Sequence, residues 1–370
     1  MNDNNFLKEI GRSYIVSAFL PAGIFVLLGY FLFSGFIPNR FVDQNSSNPI
    51  LANVNWVILT FITLWVAFYL FSASDITVRF FEGYLFPKWF QNILINLQKV
   101  AIRKRHLKYY YAWKEMEDKI NSGASLEDSE NKIHNKNFPK AREEIANAGH
   151  YYPLDEDAVM PTKLGNVFRA NELYALERYS IPDITMWPRL VPLLPPEISK
   201  LLEEHNNQFM FLINSAFLVM LNATISLFFS LLGMFIFLPS FPPRSHFFTK
   251  VGFFYIGYDN IPPLGYLFIA VILFGFGYIL YRIATNSARE LSMYMRTSFD
   301  LYRKAILRQM DWKPPQTLEL EKELWRNITT FIIQAERMEK IDLPEFEYIG
   351  KEEMSKLLKP KKDNEKWPVR

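Results

Sequence analysis

Apolar residues along this chain gather into four long blocks, and within each block every helical face is apolar. The blocks are residues 14–36, 56–73, 209–238 and 264–283, and only Arg282, at the very end of the last, brings a charged side chain into them. A helix that crosses a bilayer needs about 20 mostly apolar residues. Core helices of soluble proteins rarely stay apolar all round for that length. The pattern therefore predicts an all-α integral membrane protein with four transmembrane helices in two hairpins. The first block has a basic flank, Lys8 and Arg12. Its apolar run is too long for a signal-peptide core and no A-x-A-like site follows, so it is expected to be a retained anchor.

Lys and Arg near the ends of spans set orientation. Arg79, Lys88, Lys99, Arg103, Lys104, Arg105 and Lys108 follow the second block, and Arg282, Arg289, Arg296, Arg303 and Lys304 follow or close the fourth. The two short connections carry only Arg40 in one and Arg244 and Lys250 in the other. This predicts cytoplasmic termini and a cytoplasmic middle. The expected organisation is a first hairpin (1–75), a cytoplasmic helical domain (76–207), a second hairpin (208–284) and a cytoplasmic helical tail with a disordered end (285–370).

Inside the third block, Ser215, Asn222, Ser226 and Gly233 share one helical face, with Ser230 beside it. Such a seam serves close helix packing or lines a narrow pore. Ala270, Gly277 and Ala284, seven apart in and just after the fourth block, match it and favour packing within or between subunits. No carboxylate or cation sits deep in a span, which argues against a voltage sensor or a proton relay.

Outside the spans, 89–101 alternates with helical period. Trp89, Phe90, Ile93, Leu94, Leu97 and Val100 share one face, and Gln91, Asn92, Asn96, Gln98 and Lys99 the other. The basic cluster Arg103, Lys104, Arg105 and Lys108 follows. Two placements fit: in the membrane interface with the basic end on anionic lipid headgroups, or on the protein's own core. Pro161-Thr162 marks a helix start, running to about Tyr179. Ile181-Pro182 breaks the chain, with Asp183 as the expected N-cap. A short helix is expected at 141–148. Helices are also expected from Glu197 into the third span, from the fourth span to about Met310, and over 316–338 beyond the turn at Trp312–Pro315.

Composition narrows the chemistry. Half of the 370 residues are hydrophobic, 34 are Phe, the net charge is +3 and there is no Cys. Disulfides, thiolate metal sites and thiol catalysis are excluded. The small net charge gives no reason to expect nucleic acid as a partner, and positive-inside bias explains the basic stretch at 103–108. The sequence has no G-x-S-x-G, H-E-x-x-H, P-loop or G-x-G-x-x-G outside a span. His150 with Asp155, Glu156 and Asp157 reads as a solvated acidic turn rather than a cation site. The expectation is no enzyme, no cofactor and no metal. The densest polar set is Arg169, Glu172, Glu177, Arg178, Asp183 and Arg189. Within it Arg169, Glu172, Arg178 and Asp183 form the candidate ligand or partner cluster, or a brace of ion pairs.

The run PTKLGN at 161–166, with Arg169, Glu172, Arg178-Tyr179 and Trp187-Pro188-Arg189, resembles a family of bacterial multi-spanning membrane proteins. Glu82-Gly83-Tyr84 and Phe299-Asp300-Leu301-Tyr302-Arg303 are similar to it as well. The resemblance implies a bacterial inner-membrane location and carries no assigned activity. The topology alone is similar to that of bestrophin channels, without matching motifs. The expected function is a non-enzymatic homo-oligomer whose cytoplasmic helices bind a protein partner or sense a signal. An ion channel and, last, a membrane-anchored enzyme are the alternatives.

Overall fold

The computed structural model describes residues 13–33, 49–121, 150–153, 155–236 and 263–337. Among them every long element is a helix and no strand occurs. The expected helix at 141–148, both connections between paired spans, and the tail after Arg337 lie outside the described residues, as do the side chains of Arg105 and Lys108.

The helices are α1 (Ile15–Phe33), α2 (Pro49–Ser72), α3 (Ser74–Glu82), α4 (Lys88–Asn121), α5 (Lys163–Tyr179), α6 (Asp183–Leu190), α7 (Pro196–Ile236), α8 (Pro263–Gln309) and α9 (Leu318–Arg337). Helices α1, α7 and α8 are long and apolar enough to cross a membrane. A fourth crossing exists if the apolar part of α2, Trp56–Ser72, and α3 are taken as one broken span, bent by 64°. The bend falls at Ala73, whose backbone leaves the helical region at φ −104° and ψ 19°. Neither Pro nor Gly marks it. As expected, α7 enters its apolar stretch without a break from Pro196, and α8 runs on unbroken to Gln309.

The chain divides into two compact units: 1–169 with 201–292, and 170–200 with 293–370. In the first unit, small residues let three apolar helices approach closely. Ala18 and Ala22 of α1, Ala67 and Leu70 of α2 and Leu218 of α7 form one buried cluster. Gly277 of α8 is equally tight: a Cβ there would lie 2.7 Å from Met220 and 3.6 Å from the Ala216 carbonyl of α7. Ala270 and Ala284, on the same face as Gly277, are buried too.

In the second unit α9 buries Glu321, Trp325, Ile328 and Ile332 along a single stripe, the spacing of an amphipathic helix. Just past the end of α8 at Gln309, Asp311 takes the left-handed conformation (φ 59°). Trp312 then donates its N–H to the Leu307 carbonyl and Asp311 to that of Arg308, closing the helix before Pro314 and Pro315.

Candidate functional site

Two knots of side chains, one in each unit, hold many of the residues in the short motifs quoted above, and of the candidate site residues Arg178. The first joins the end of α3 to the start of α5. Gly83 has φ 94°, and its N–H and that of Tyr84 turn back to the carbonyls of Phe80 and Arg79 at 3.1 Å each. A Cβ on Gly83 would meet Pro161 Cβ at 2.9 Å. Thr162 donates its hydroxyl to the Phe81 carbonyl at 2.7 Å and accepts the Gly165 N–H at 3.0 Å, so one side chain caps α5 and docks α3. Asn166 completes the turn. Its amide nitrogen donates to the carbonyls of Met160 and Thr162, and its oxygen accepts the Met160 N–H. Gly165 lies so close that a Cβ there would be 2.6 Å from the Glu82 carbonyl. Phe81 stacks on Tyr281 of α8, whose hydroxyl accepts the Leu164 N–H at 3.3 Å. Beneath lie Phe209, Ile213 and Ala216 of α7 and Ala284 and Ala288 of α8.

The second knot is built from charge. Asp300 of α8 accepts hydrogen bonds from Tyr179 at 2.6 Å and from Tyr174 at 2.8 Å. The Arg303 guanidinium lies over the Tyr179 ring, 3.9 Å from its centre, and donates Nε to Glu321 of α9 at 2.7 Å. Trp325 donates its indole N–H to the same carboxylate at 3.4 Å, and Arg303 also reaches the Asp300 carbonyl. Arg296 covers the Tyr174 ring at 4.9 Å, and Arg178 donates to the Tyr174 hydroxyl at 3.1 Å from the exposed rim. Trp187 packs on Phe299 at 5.7 Å. Burial, and then the hydrogen bond to Asp300, pushes the Tyr179 phenol up to about 12 and raises Tyr174 as well. Both phenols stay neutral donors at ordinary pH. Burial lowers Arg296.

Of the four residues of the expected cluster, Arg169 is half-buried in the first unit. Arg178 belongs to the tyrosine knot. Glu172 and Asp183 form an acid pair of their own. Asp183 is 8% exposed, and one carboxyl oxygen accepts no hydrogen bond among the described residues. Burial, reinforced by the charge of Glu172, pushes this carboxyl up to about 7. Asp183 is not the N-cap that the sequence suggests. Pro182 takes that position, and Asp183 opens α6 with no side-chain cap.

The seam of α7 turns inward. Asn222, Ser226, Ser230 and Gly233 are buried and Ser215 is half-buried. Asn222 donates to the Phe25 carbonyl of α1 at 3.3 Å. Asn214, which the spacing argument passed over, donates to the Ser17 carbonyl at 2.7 Å. The reason lies four residues on from Ser17, at Pro21, which has no N–H to offer that carbonyl. The turn there is widened into a π-helix over Ile15–Phe19. Ser13 donates to Asn207 at 2.5 Å and Tyr266 of α8 to the Leu32 carbonyl at 3.1 Å, so polar contacts run the length of α1. A Pro inside an apolar block and an Asn in another were the available signals.

The acidic turn after Tyr152 is taken up by the protein's own cations. Glu156 pairs with Arg103 at 2.6 Å and Asp157 with Lys99 at 3.4 Å, while Asp155 caps the 3-10 turn Glu156–Ala158. No group of His, Asp or Glu able to hold a metal ion occurs among the described residues. Comparison of the chain with family models, curated proteins and solved structures finds no match.

Proposed function

We propose that this is a four-span membrane protein with both termini in the cytoplasm, without catalytic activity, which assembles with copies of itself. Its helices outside the bilayer bind a partner or sense a signal. The observation that carries the reading is the make-up of α8. One unbroken helix holds an apolar stretch long enough to cross a membrane and, further along, Arg296, Asp300 and Arg303 of the charged knot. A ligand or partner that loads the knot binds the same continuous helix that carries the apolar stretch. The knot's groups are largely spent on one another, which favours a mechanical coupling over chemistry. Arg178 sits at its exposed rim and is the contact offered outward.

The test compares Arg178→Gln, which keeps an N–H donor for Tyr174, with Asp300→Asn in cells that lack the native protein. Arg178→Gln is expected to assemble with little loss of melting temperature yet fail to complement. Asp300→Asn is expected to lose folded yield. Full complementation by Arg178→Gln sinks the binding role. A bestrophin-like channel is the second reading, and the buried polar seam of α7 is what favours it. Selective conductance of the purified protein in planar bilayers would replace the first reading.

A further inference from the structure

We propose that α4 is an interfacial helix whose apolar stripe lies among the acyl chains at the surface of an anionic phospholipid bilayer. The stripe is Trp89, Ile93, Leu97 and Val100, at steps of four, four and three residues, which places them on one face. All four are 50–67% exposed, so the alternative of packing on the protein's own core is not taken, and no described residue covers them.

The rotation of α4 is not free. Phe217 of α7, within its apolar stretch, meets Phe80 at 6.0 Å. Phe80 meets Phe86 at 5.5 Å, and Phe86 meets Phe90 at 5.3 Å. This aromatic relay starts on a membrane-type helix and ends on the flank of α4 beside the stripe. Gln91 adds donations to the carbonyls of Tyr84 and Phe86. Lys99 and Arg103, on the other flank, are held by Asp157 and Glu156. The helix is therefore fixed with the stripe outward.

Two features identify the occupant as lipid rather than protein. The chain exposes Phe68 and Phe71 of α2 before the 64° bend, and Tyr84, Leu85 and Trp89 after it. The stripe thus follows in the chain a stretch whose exposed aromatic and apolar side chains suit hydrocarbon and its interface. Charge follows the same plan. Lys104, one turn past Val100, is exposed on the stripe's own face, where a long cationic side chain reaches phosphate while its stem stays apolar. The proposal rests on the membrane placement of the long helices and not on partner binding at the second knot.

Because the chain has no cysteine, single sites can be labelled cleanly. Ile93→Cys and Leu97→Cys on the stripe, and Asn92→Cys and Lys88→Cys off it, are spin-labelled in the full-length protein in nanodiscs. Retained melting temperature is the check on folding. The stripe sites are expected to collide at least several-fold more with oxygen, and less with a water-soluble nickel chelate, than the off-stripe sites. Ready access of the chelate to the stripe overturns the proposal. So does exclusion of both reagents, because that means a protein surface covers it. Lys104→Glu, combined with Leu97→Cys, is then read in discs with and without phosphatidylglycerol. Loss of oxygen contact only in the anionic discs is expected. An equal signal in both overturns the headgroup contact.

Discussion

The two knots solve the same problem, fastening helices distant in sequence, with opposite chemistry. The knot of the first unit is uncharged and works through the backbone. Thr162 and Asn166 hold carbonyls and N–H groups of neighbouring turns, and Gly83 and Gly165 let main chains approach. It sits on an apolar base of Phe209, Ile213 and Ala284, where an unpaired charge would be costly. The knot of the second unit works mainly side chain to side chain, around Asp300 and Glu321, with Arg303 joining the Glu321 carboxylate to the Asp300 main-chain carbonyl. What separates them is tolerance. A backbone knot is set by sterics and indifferent to pH, whereas a charged knot and the acid pair in the same unit answer to protonation and to neighbouring charge.

The largest effect is expected from Gly165→Ala. A methyl group 2.6 Å from the Glu82 carbonyl and 3.0 Å from Met160 Cβ forces the two segments apart. The loss is about 3 kcal/mol, at the upper end for overpacking. Gly275→Ala is the control, since nothing lies within 4 Å of a Cβ there. Melting temperatures in detergent should fall steeply for the first and hold for the second. Equal behaviour of the pair would remove steric tightness as the basis of the first knot.

Asp300→Asn comes next. The carboxylate is acceptor to two phenols, and an amide keeps its size but loses the charge that shortens those bonds. It also leaves Arg296 and Arg303 with less negative charge nearby. A loss of about 2 kcal/mol is expected. Tyr179→Phe, which removes one donor and keeps the ring under Arg303, should cost less, about 1 kcal/mol. If Tyr179→Phe costs as much as Asp300→Asn, the ring packing rather than the carboxylate holds the knot.

The helices were legible because runs of one polarity announce themselves. The Pro161-Thr162 start, the unbroken α7 and α8 and the stop before Pro314 all appear where composition changes sharply. The knots were legible only as separate motifs. Glu82-Gly83-Tyr84 and the PTKLGN run stand about 80 residues apart, and their docking depends on Thr162 finding the Phe81 carbonyl. Arg178-Tyr179 and Phe299–Arg303 meet through Asp300 in the same way. Density of charge along the sequence grouped Arg169, Glu172, Arg178 and Asp183. The fold gives two of them definite surroundings, Arg178 at the Tyr174 hydroxyl and Asp183 beside Glu172, which a linear window does not show. Tyr174, Arg296 and Glu321 gave no local signal as members of a knot, because their partners come from other helices or across the turn at Trp312. The bend at Ala73 had none either, since ordinary residues form it.

The last effect, and the one that separates the units most cleanly, is a pH dependence at Asp183. Its carboxyl ordinarily titrates near 3.8 and in the fold near 7, from burial first and Glu172 second. Between those values the folded chain holds a proton that the unfolded chain has released. Stability therefore falls as pH rises through this window, and it is flat below the lower value and above the upper one. Asp183→Asn is neutral throughout and lacks that slope. Its advantage over the parent should grow from pH 5 to pH 7 and level off by pH 8, reaching about 1–2 kcal/mol once water and local relaxation have offset part of the burial. Glu172→Gln removes the secondary cause alone and should give a smaller gain with the same sign. Thr162→Val, in the uncharged knot, should lower the melting temperature by the same amount at every pH. Melts of the parent and these three variants at pH 5, 6, 7 and 8 decide the matter. An Asp183→Asn curve parallel to the parent's across that range would mean the carboxyl stays ionised, with water or a cation reaching its unpartnered oxygen.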